Sequence, residues 1–198
     1  MQKRVKYLTT TPAKRVGTEI RRVAVIAEED ITAQKLAMAE YTAKKSKNIN
    51  EVREAVLFLE KNGAFDILES IAGYAEGRWN SIIAIDALAR NHQFERIANA
   101  LFYCMQKRAI RYGLLILIRH NQLNMVYHCE KDLFHFKQAI RGVNRELRWV
   151  VESAIRKKDV RLLAQFASSD NNQNFDFASL VNQARKKLAE FESFSSSC

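Results

Sequence analysis

Apolar side chains recur every three or four positions along most of this chain, which is the period of an amphipathic α-helix. Short polar runs interrupt the pattern and separate one apolar stripe from the next. We therefore predict an all-α fold, either a multi-helix bundle or a short helical-repeat array. The predicted helices cover residues 18–45, 51–61, 65–76, 79–90, 93–107, 109–120, 122–129, 132–157, 159–168 and 176–192.

Amide and small residues mark the clearest helix ends. Asn50 precedes the helix 51–61 and can cap its free N–H groups, and Asn62-Gly63 can end the same helix in a left-handed turn. The chain has one proline and six glycines in 198 residues, which is fewer than the turn-dense all-β folds need. The composition therefore agrees with the helical pattern.

A weak repeat runs through the middle of the chain. Phe65, Phe94 and Leu123 follow polar turns and lie 29 residues apart, and a fourth similar turn, Lys158-Asp159, arrives after a further 37 residues. Stacked helix pairs produce such a period because each pair buries its apolar face on the next. A helical bundle with short turns can produce similar echoes by chance, and the sequence leaves both interpretations open.

The length and hydrophobic content bound the domain organisation. With 198 residues, of which 47% are hydrophobic, the chain can bury one core, or one core and an arm. We predict a basic N-terminal arm at 1–18, a single all-α domain at 19–192 and a frayed tail at 193–198. An internal boundary within 46–50 is the alternative to a single domain.

Cysteine usage and hydropathy bear on the compartment. Cys104, Cys129 and Cys198 are an odd number with no paired spacing, which favours a reducing intracellular compartment such as the cytoplasm, the nucleoid or the nucleus. The acid-free first 18 residues would also suit a mitochondrial presequence. The longest apolar run, 114–118, has five residues, whereas a membrane-spanning helix needs about 20, so we expect no membrane partner.

Positive charge is concentrated in two blocks of the chain. Residues 1–50 carry 11 Lys and Arg against 5 acids, and residues 102–165 carry 13 against 5. Residues 51–101 and 166–198 are net acidic, and the whole chain has a net charge of +10. Because clustered Lys and Arg displace the counterions that condense on phosphates, this distribution favours a nucleic-acid partner over a small acidic substrate.

The predicted helix 132–157 carries the best-defined cationic surface. Its apolar stripe consists of Phe136, Ile140, Val143, Leu147, Val150 and Ala154. A row of cations follows the same spacing one residue later, about 100° around the helix, and consists of Lys137, Arg141, Arg145 and Arg148. Because the stripe anchors the helix in the core, the row can follow a phosphate backbone from a rigid base.

Cations elsewhere extend this predicted nucleic-acid interface. They are Arg156, Lys157, Lys158, Lys107, Arg108 and Arg111 in the second basic block, and Lys3, Arg4, Lys14 and Arg15 in the arm. Trp149, one turn from Arg145, can either stack on a base or cap the core. Two other interpretations stay open for the cations, namely a solvated flank and a surface for an acidic protein.

Candidate metal ligands and catalytic groups lack the spacing that their chemistry needs. His120, His128, Cys129 and His135 do not form the paired pattern of a zinc site, so we predict that they pack in the core or an interface. The carboxylates of Glu28-Glu29-Asp30 diverge around a helix and belong to its charged surface. With no phosphate-binding Gly-rich loop and no dinucleotide fingerprint either, we expect no enzymatic activity, no cofactor and no metal.

One short segment resembles a known family. Residues 21–31, from Arg21-Arg22 to Glu29-Asp30-Ile31, are similar to a stretch in the C-terminal helical region of clamp-loader-like, replication-associated recombination ATPases. The chain departs from that family at Thr32, where the family usually has glycine, and it lacks the nucleotide-binding domain. The resemblance covers 11 of 198 residues and implies an oligomerising or DNA-associated helical module without ATPase activity.

These observations together favour one function and leave one alternative. We predict a non-enzymatic, nucleic-acid-associated protein that binds DNA or RNA mainly through phosphate, a class that includes viral, phage and replication accessory factors. The alternative is a helical-repeat adaptor that binds a protein partner. No known base-reading motif is present, so no base specificity is predicted.

Overall fold

The computed structural model describes residues 32–126, 133–168 and 175–195. The chain forms two compact units, Met1–Met38 and Ala39–Cys198. Of the first unit, residues 32–38 are described, and they are helical. The predicted basic arm at 1–18 and the segment 21–31 lie outside the described residues.

The described residues form α-helices, one 3-10 helix and turns, without any strand, and the predicted all-α fold is confirmed. Residues 32–45 are helical and are called α1. The next helices are α2 (Ile49–Lys61), α3 (Phe65–Tyr74), α4 (Arg78–Arg90), α5 (Phe94–Tyr103) and α6 (Lys107–Arg119). The 3-10 helix Leu123–Val126 follows, and then α7 (Leu133–Lys157), α8 (Val160–Ala167) and α9 (Phe175–Ser195).

Three helix ends differ from the prediction. The predicted helix 93–107 ends at Tyr103, because Cys104 takes an extended conformation with ψ of 120°. The predicted helix 122–129 is a single 3-10 turn where it is described. The N-cap of α2 is Asn48, whose side chain accepts a hydrogen bond from the Asn50 N–H at 3.0 Å, so the helix begins two residues earlier than predicted.

The helices recur with a period of 29 residues. Helices α2, α4 and α6 each contain 13 residues and begin at positions 49, 78 and 107. Helices α3 and α5 each contain 10 residues and begin at positions 65 and 94. Because both the starts and the ends keep the same interval, the echoes in the sequence correspond to a repeated helix pair.

The turn that ends the first helix of each pair has the same geometry four times. Its left-handed residues are Gly63, His92, Asn121 and Lys158, with φ values of 65°, 56°, 55° and 53°. At the first turn, the Gly63 N–H donates to the Glu60 carbonyl at 3.1 Å and the Ala64 N–H donates to the Leu59 carbonyl at 3.0 Å. The same pair of hydrogen bonds, a Schellman motif, forms at positions 92, 121 and 158.

Within the second unit the helices pack in two rows. Helices α2, α4, α6 and α8 contact one another in succession, and so do α3, α5, α7 and α9, while neighbours in sequence pack between the rows. Equivalent leucines at positions 59, 88 and 117 are fully buried between successive pairs. Each pair therefore buries its apolar face on the next, which is how a helical-repeat array is stabilised.

Polar contacts and one close approach fix neighbouring elements. Asn80, which is buried, donates from its amide nitrogen to the carbonyls of Ala43 and Ser46 at 2.9 and 3.0 Å, and so satisfies free carbonyls at the end of α1. Gly73 lets α3 approach α5 closely, because a Cβ there would lie 3.3 Å from the Ala100 carbonyl oxygen. Both contacts restrict how successive pairs can stack.

The left-handed turns predict opposite effects for two substitutions. Gly63→Ala should lower the free energy of unfolding by about 1 kcal/mol, because an L residue is strained at this φ although its Cβ would have no neighbour within 4 Å. Lys158→Gly should raise it by about the same amount, because it removes that strain at the equivalent turn. Urea denaturation with unchanged m-values measures both changes.

Gly142 provides the matched control for these variants. It lies within α7 without a positive φ, and a Cβ there also meets nothing within 4 Å. Gly142→Ala should therefore stabilise the protein by up to about 1 kcal/mol through helix propensity. A destabilising effect of Lys158→Gly, or a neutral effect of Gly63→Ala, would contradict the role assigned to the turns.

Candidate nucleic-acid interface

The charge of the array is divided along the chain. Residues 39–101 carry eight Lys and Arg and nine acids, so this part is close to neutral. The described residues 102–126 and 133–168 carry twelve Lys and Arg and three acids, which gives a net charge of +9. The excess of positive charge in the described residues thus lies on α6, α7, α8 and the turns between them.

In the near-neutral part, ion pairs between successive repeats use up the cations. Arg90 on α4 bonds Glu60 on α2 at 2.6 Å, and this hydrogen bond lowers the pKa of the Glu60 carboxyl below its usual value. Arg96 on α5 bonds Asp66 and also Glu69 on α3, the latter at 3.2 Å. These cations are therefore committed to holding one repeat on the next.

Helix α7 presents a different surface. Val143, Leu147, Val150 and Ala154 are buried, as the predicted apolar stripe requires. The exposed side carries Arg141, Arg145 and Arg148, which we call the arginine face. These three residues, with Asn144 and with Leu180 of α9, line one groove of about 280 Å³.

The arginine face is only partly neutralised. Arg141 and Arg148 form no ion pair with any carboxylate in the described part of the chain, whereas the Arg145 Nε lies 3.2 Å from Glu146 Oε1. The Arg145 side chain is nevertheless 69% exposed. The groove therefore holds three guanidinium groups with one partial counter-charge, an arrangement that an external anion can complete.

Glu146 links the arginine face to the neighbouring helix. Its side chain is only 2% exposed, and its Oε2 accepts a hydrogen bond from Arg111 Nε on α6 at 2.7 Å. Its other oxygen faces Arg145. One buried carboxylate thus joins α6 to α7 and sets the positions of two predicted contact residues, Arg111 and Arg145.

Trp149 lies beside the arginine face on the side that faces α6. The Arg111 guanidinium carbon is 3.7 Å from the centroid of the Trp149 ring, which is a close cation–π contact. Trp149 is 40% exposed, so it does not close the core, and the core-capping alternative predicted from the sequence is not what the structure shows. Arg111 holds the indole at the surface of α7.

The remaining described cations differ in what they do for the fold. Lys107 and Arg108 are exposed in the first turn of α6, where a cation opposes the helix dipole and gains no stability from it. Arg156 and Lys157 lie in the last turn of α7, where the dipole favours a cation, and Arg156 is also 4.0 Å from Glu152. A structural role therefore suffices for Arg156 and Lys157 but not for Lys107 and Arg108.

Several predicted contacts cannot be placed. Lys158 occupies the left-handed turn after α7 and is exposed. The backbone of residue 137 lies in α7, but the Lys137 side chain falls outside the described residues. The predicted contacts of the arm also lie outside them, namely Lys3, Arg4, Lys14 and Arg15.

A second groove was not predicted from the sequence. Arg119 at the end of α6 and Arg161 of α8 line it, together with Asp159, Leu162 and Gln165, and its volume is about 340 Å³. Asp159 accepts a hydrogen bond from the Leu162 N–H at 3.0 Å and caps α8. Each arginine stands at a helix end in the sequence, but only the packing of α6 on α8 brings the two arginines to one groove.

No metal-binding cluster of three or more His, Cys, Asp or Glu side chains occurs in the described residues. The His120 ring lies against Phe94 with a centroid distance of 4.8 Å, as a packing role predicts. Cys104 is a buried free thiol, and burial raises the pKa of this thiol above its usual value. The side chains of His128, Cys129 and His135 lie outside the described residues.

Among the helices within the described ranges, none combines the length and hydrophobicity that a crossing of a membrane needs. Comparisons of the chain with models of protein families, with curated proteins and with solved structures found no match.

The buried position of Glu146 predicts a selective loss of stability. Glu146→Gln should lower the free energy of unfolding by about 2 kcal/mol, because it removes the charge that Arg111 and Arg145 share in a site that is closed on one side. Glu152→Gln removes the same charge from an exposed 4.0 Å pair on the same helix, so it should change stability by less than about 0.5 kcal/mol. Thermal and urea denaturation at equal ionic strength compare the two variants, and equal effects would contradict the linking role of Glu146.

Proposed function

We propose that this chain is a non-enzymatic, nucleic-acid-associated protein that binds DNA or RNA mainly through phosphate groups, with the arginine face of α7 as its main contact. One observation carries the proposal. Arg141, Arg145 and Arg148 line a single groove in which Glu146 is the one carboxylate near them among the described residues.

Guanidinium groups suit phosphate because their planar N–H donors match two phosphate oxygens at once. From Arg141 to Arg148 the helix axis rises by about 10 Å, which equals about three nucleotides of one B-DNA strand. Because α7 is anchored by its buried stripe, these guanidinium groups move little relative to one another. The row can thus contact successive phosphates without a further ordering cost for the backbone.

The surrounding charge supports the same ligand. The described residues 102–126 and 133–168 have a net charge of +9, and this positive field attracts a polyanion before any specific contact forms. Lys107 and Arg108, whose position at the start of α6 has no structural explanation, would add to this field. The ion pairs of Arg90 and Arg96 leave no comparable surplus in residues 39–101.

The proposal predicts the effect of reversing charges on the arginine face. The variant Arg141→Glu/Arg148→Glu should bind DNA and RNA at least about 100-fold more weakly than the parent at 50 mM salt, because two phosphate contacts become repulsions. The plot of log affinity against log salt concentration should also become shallower by about 1.5 to 2, since each phosphate contact contributes about 0.7 to 0.9. Fluorescence anisotropy with labelled oligonucleotides over 50–200 mM salt measures both changes.

Arg53→Glu/Lys61→Glu is the control of equal charge. Both residues are exposed on α2, in the near-neutral part of the array, and neither forms an ion pair with a described carboxylate. This control should keep most of the affinity and the salt dependence of the parent. If it loses as much affinity as Arg141→Glu/Arg148→Glu, net charge and not the arginine face governs binding, and the site assignment is wrong.

A helical-repeat adaptor is the second candidate, and the repeated helix pairs favour it. Tyr74 and Tyr103 occupy equivalent positions of successive repeats, are 58% and 43% exposed, and stack with a centroid distance of 5.2 Å. Met105 nearby in sequence is 91% exposed. Exposed aromatic and methionine side chains of this kind are enriched at protein interfaces.

The two candidates separate in one purification. After nuclease treatment, an adaptor should still recover one protein in a fixed stoichiometric ratio, and Tyr74→Ser/Met105→Ser should release that protein. A nucleic-acid-binding protein should instead lose its partner with the nuclease and be unaffected by these two substitutions.

A further inference from the structure

The position of Trp149 adds a second kind of contact to the proposed interface. On α7 it lies one turn after Arg145 and next to Arg148, so an aromatic ring stands among guanidinium groups that line the groove. The ring is 40% exposed, although burying an indole of this size would contribute substantially to the core. The fold therefore leaves a large apolar surface where a polyanion would lie.

The orientation of this ring is fixed from one side. The Arg111 guanidinium packs on it at 3.7 Å from the ring centroid, and Arg111 is itself held by Glu146 at 2.7 Å. Glu146 is 2% exposed and is fixed between α6 and α7. A buried carboxylate, a guanidinium and an indole thus form a stack that ends at the surface, and the indole is its outermost member.

We propose that Trp149 stacks on an unpaired base and that the preferred ligand of the arginine face is single-stranded nucleic acid. The inference rests on the proposed phosphate binding and adds a base contact to it. The arginine face holds the phosphates, and the exposed part of the indole takes the face of one base beside them. Arg111 supports the indole from behind, so the base, the indole and the guanidinium form one column.

The choice of a single strand follows from the geometry of the two ligands. In a duplex the bases are stacked on one another, and their faces are closed to a side chain on the outside of a helix such as α7. An exposed ring beside a phosphate-binding surface can meet a base face only when the base is unstacked. Stacking accepts every base, so the contact does not require sequence specificity.

Trp149 fluorescence provides the direct test, because the chain has two tryptophans, Trp79 and Trp149. In a Trp79→Phe variant the emission reports Trp149 alone. Titration with a 12-nucleotide oligothymidylate or oligouridylate should quench this emission, whereas inorganic polyphosphate of equal charge should bind without comparable quenching. The two oligonucleotides distinguish DNA from RNA as the tighter ligand.

Substitution of Trp149 provides the second readout. Trp149→Ala should weaken binding of the oligonucleotides roughly 5- to 100-fold at fixed salt, with an unchanged salt slope, while affinity for duplex DNA and for polyphosphate stays within about threefold. Trp149→Phe should keep most of the affinity, because it retains an aromatic face. Trp79→Phe should bind all ligands as the parent does, since Trp79 lies in the near-neutral part of the array.

The outcomes separate this inference from the function on which it rests. Salt-dependent binding of all ligands, without quenching of Trp149 by the oligonucleotides, overturns the base contact and leaves phosphate binding intact. An equal loss of affinity for oligonucleotide, duplex and polyphosphate in Trp149→Ala also overturns it, because Trp149 would then only support Arg111. If the parent binds none of these ligands at 50 mM salt, the proposed function fails and the base contact fails with it.

Discussion

The structure depends on the burial of one apolar face of each helix pair against the next pair. A single pair has no partner for that face in water, and the fully buried leucines at positions 59, 88 and 117 show where successive pairs meet. The left-handed residue after α2, α4, the 3-10 connection's preceding helix α6, and α7 returns the chain in the same direction each time. Side chains on the other faces are thereby free to vary, and the charged residues occupy them.

The array uses its charges in two different ways. In residues 39–101, carboxylates on one repeat bind arginines on the next, as in the pair between Glu60 and Arg90. In the second half, acids are few, and Glu146 is shared between Arg111 and Arg145. Like charges that are not paired destabilise a compact protein by mutual repulsion, so the cluster on α7 is more readily explained by an external anion than by the fold.

Much of the fold could be predicted from the sequence, because short helices with polar turns leave a strong period of three to four. The predicted bounds of most helices lie within three residues of the observed ones, and Asn62-Gly63 ends α2 as predicted. The prediction failed where local signals conflict: Asn48 and Asn50 can both cap a helix, and the better hydrogen bond decides between them. The turn residues His92 and Lys158 could not be recognised, because neither favours positive φ as glycine does.

The arginine face could be predicted for the same reason, since its residues follow the buried stripe by one position on the same helix. Contacts between helices could not. The sequence places Arg111 and Trp149 38 positions apart, and only the packing of α6 on α7 brings them together. The groove that joins Arg148 to Leu180 likewise depends on how α9 lies on α7.

The regular 29-residue interval has a consequence for how this chain can change in length. A duplicate of residues 78–106, inserted after position 106, would offer each of its neighbours the same apolar surface that they meet already. The array could therefore grow by whole units without redesign of its interior. The basic surface on α7 would be carried one unit further from α2, with its own chemistry unaltered.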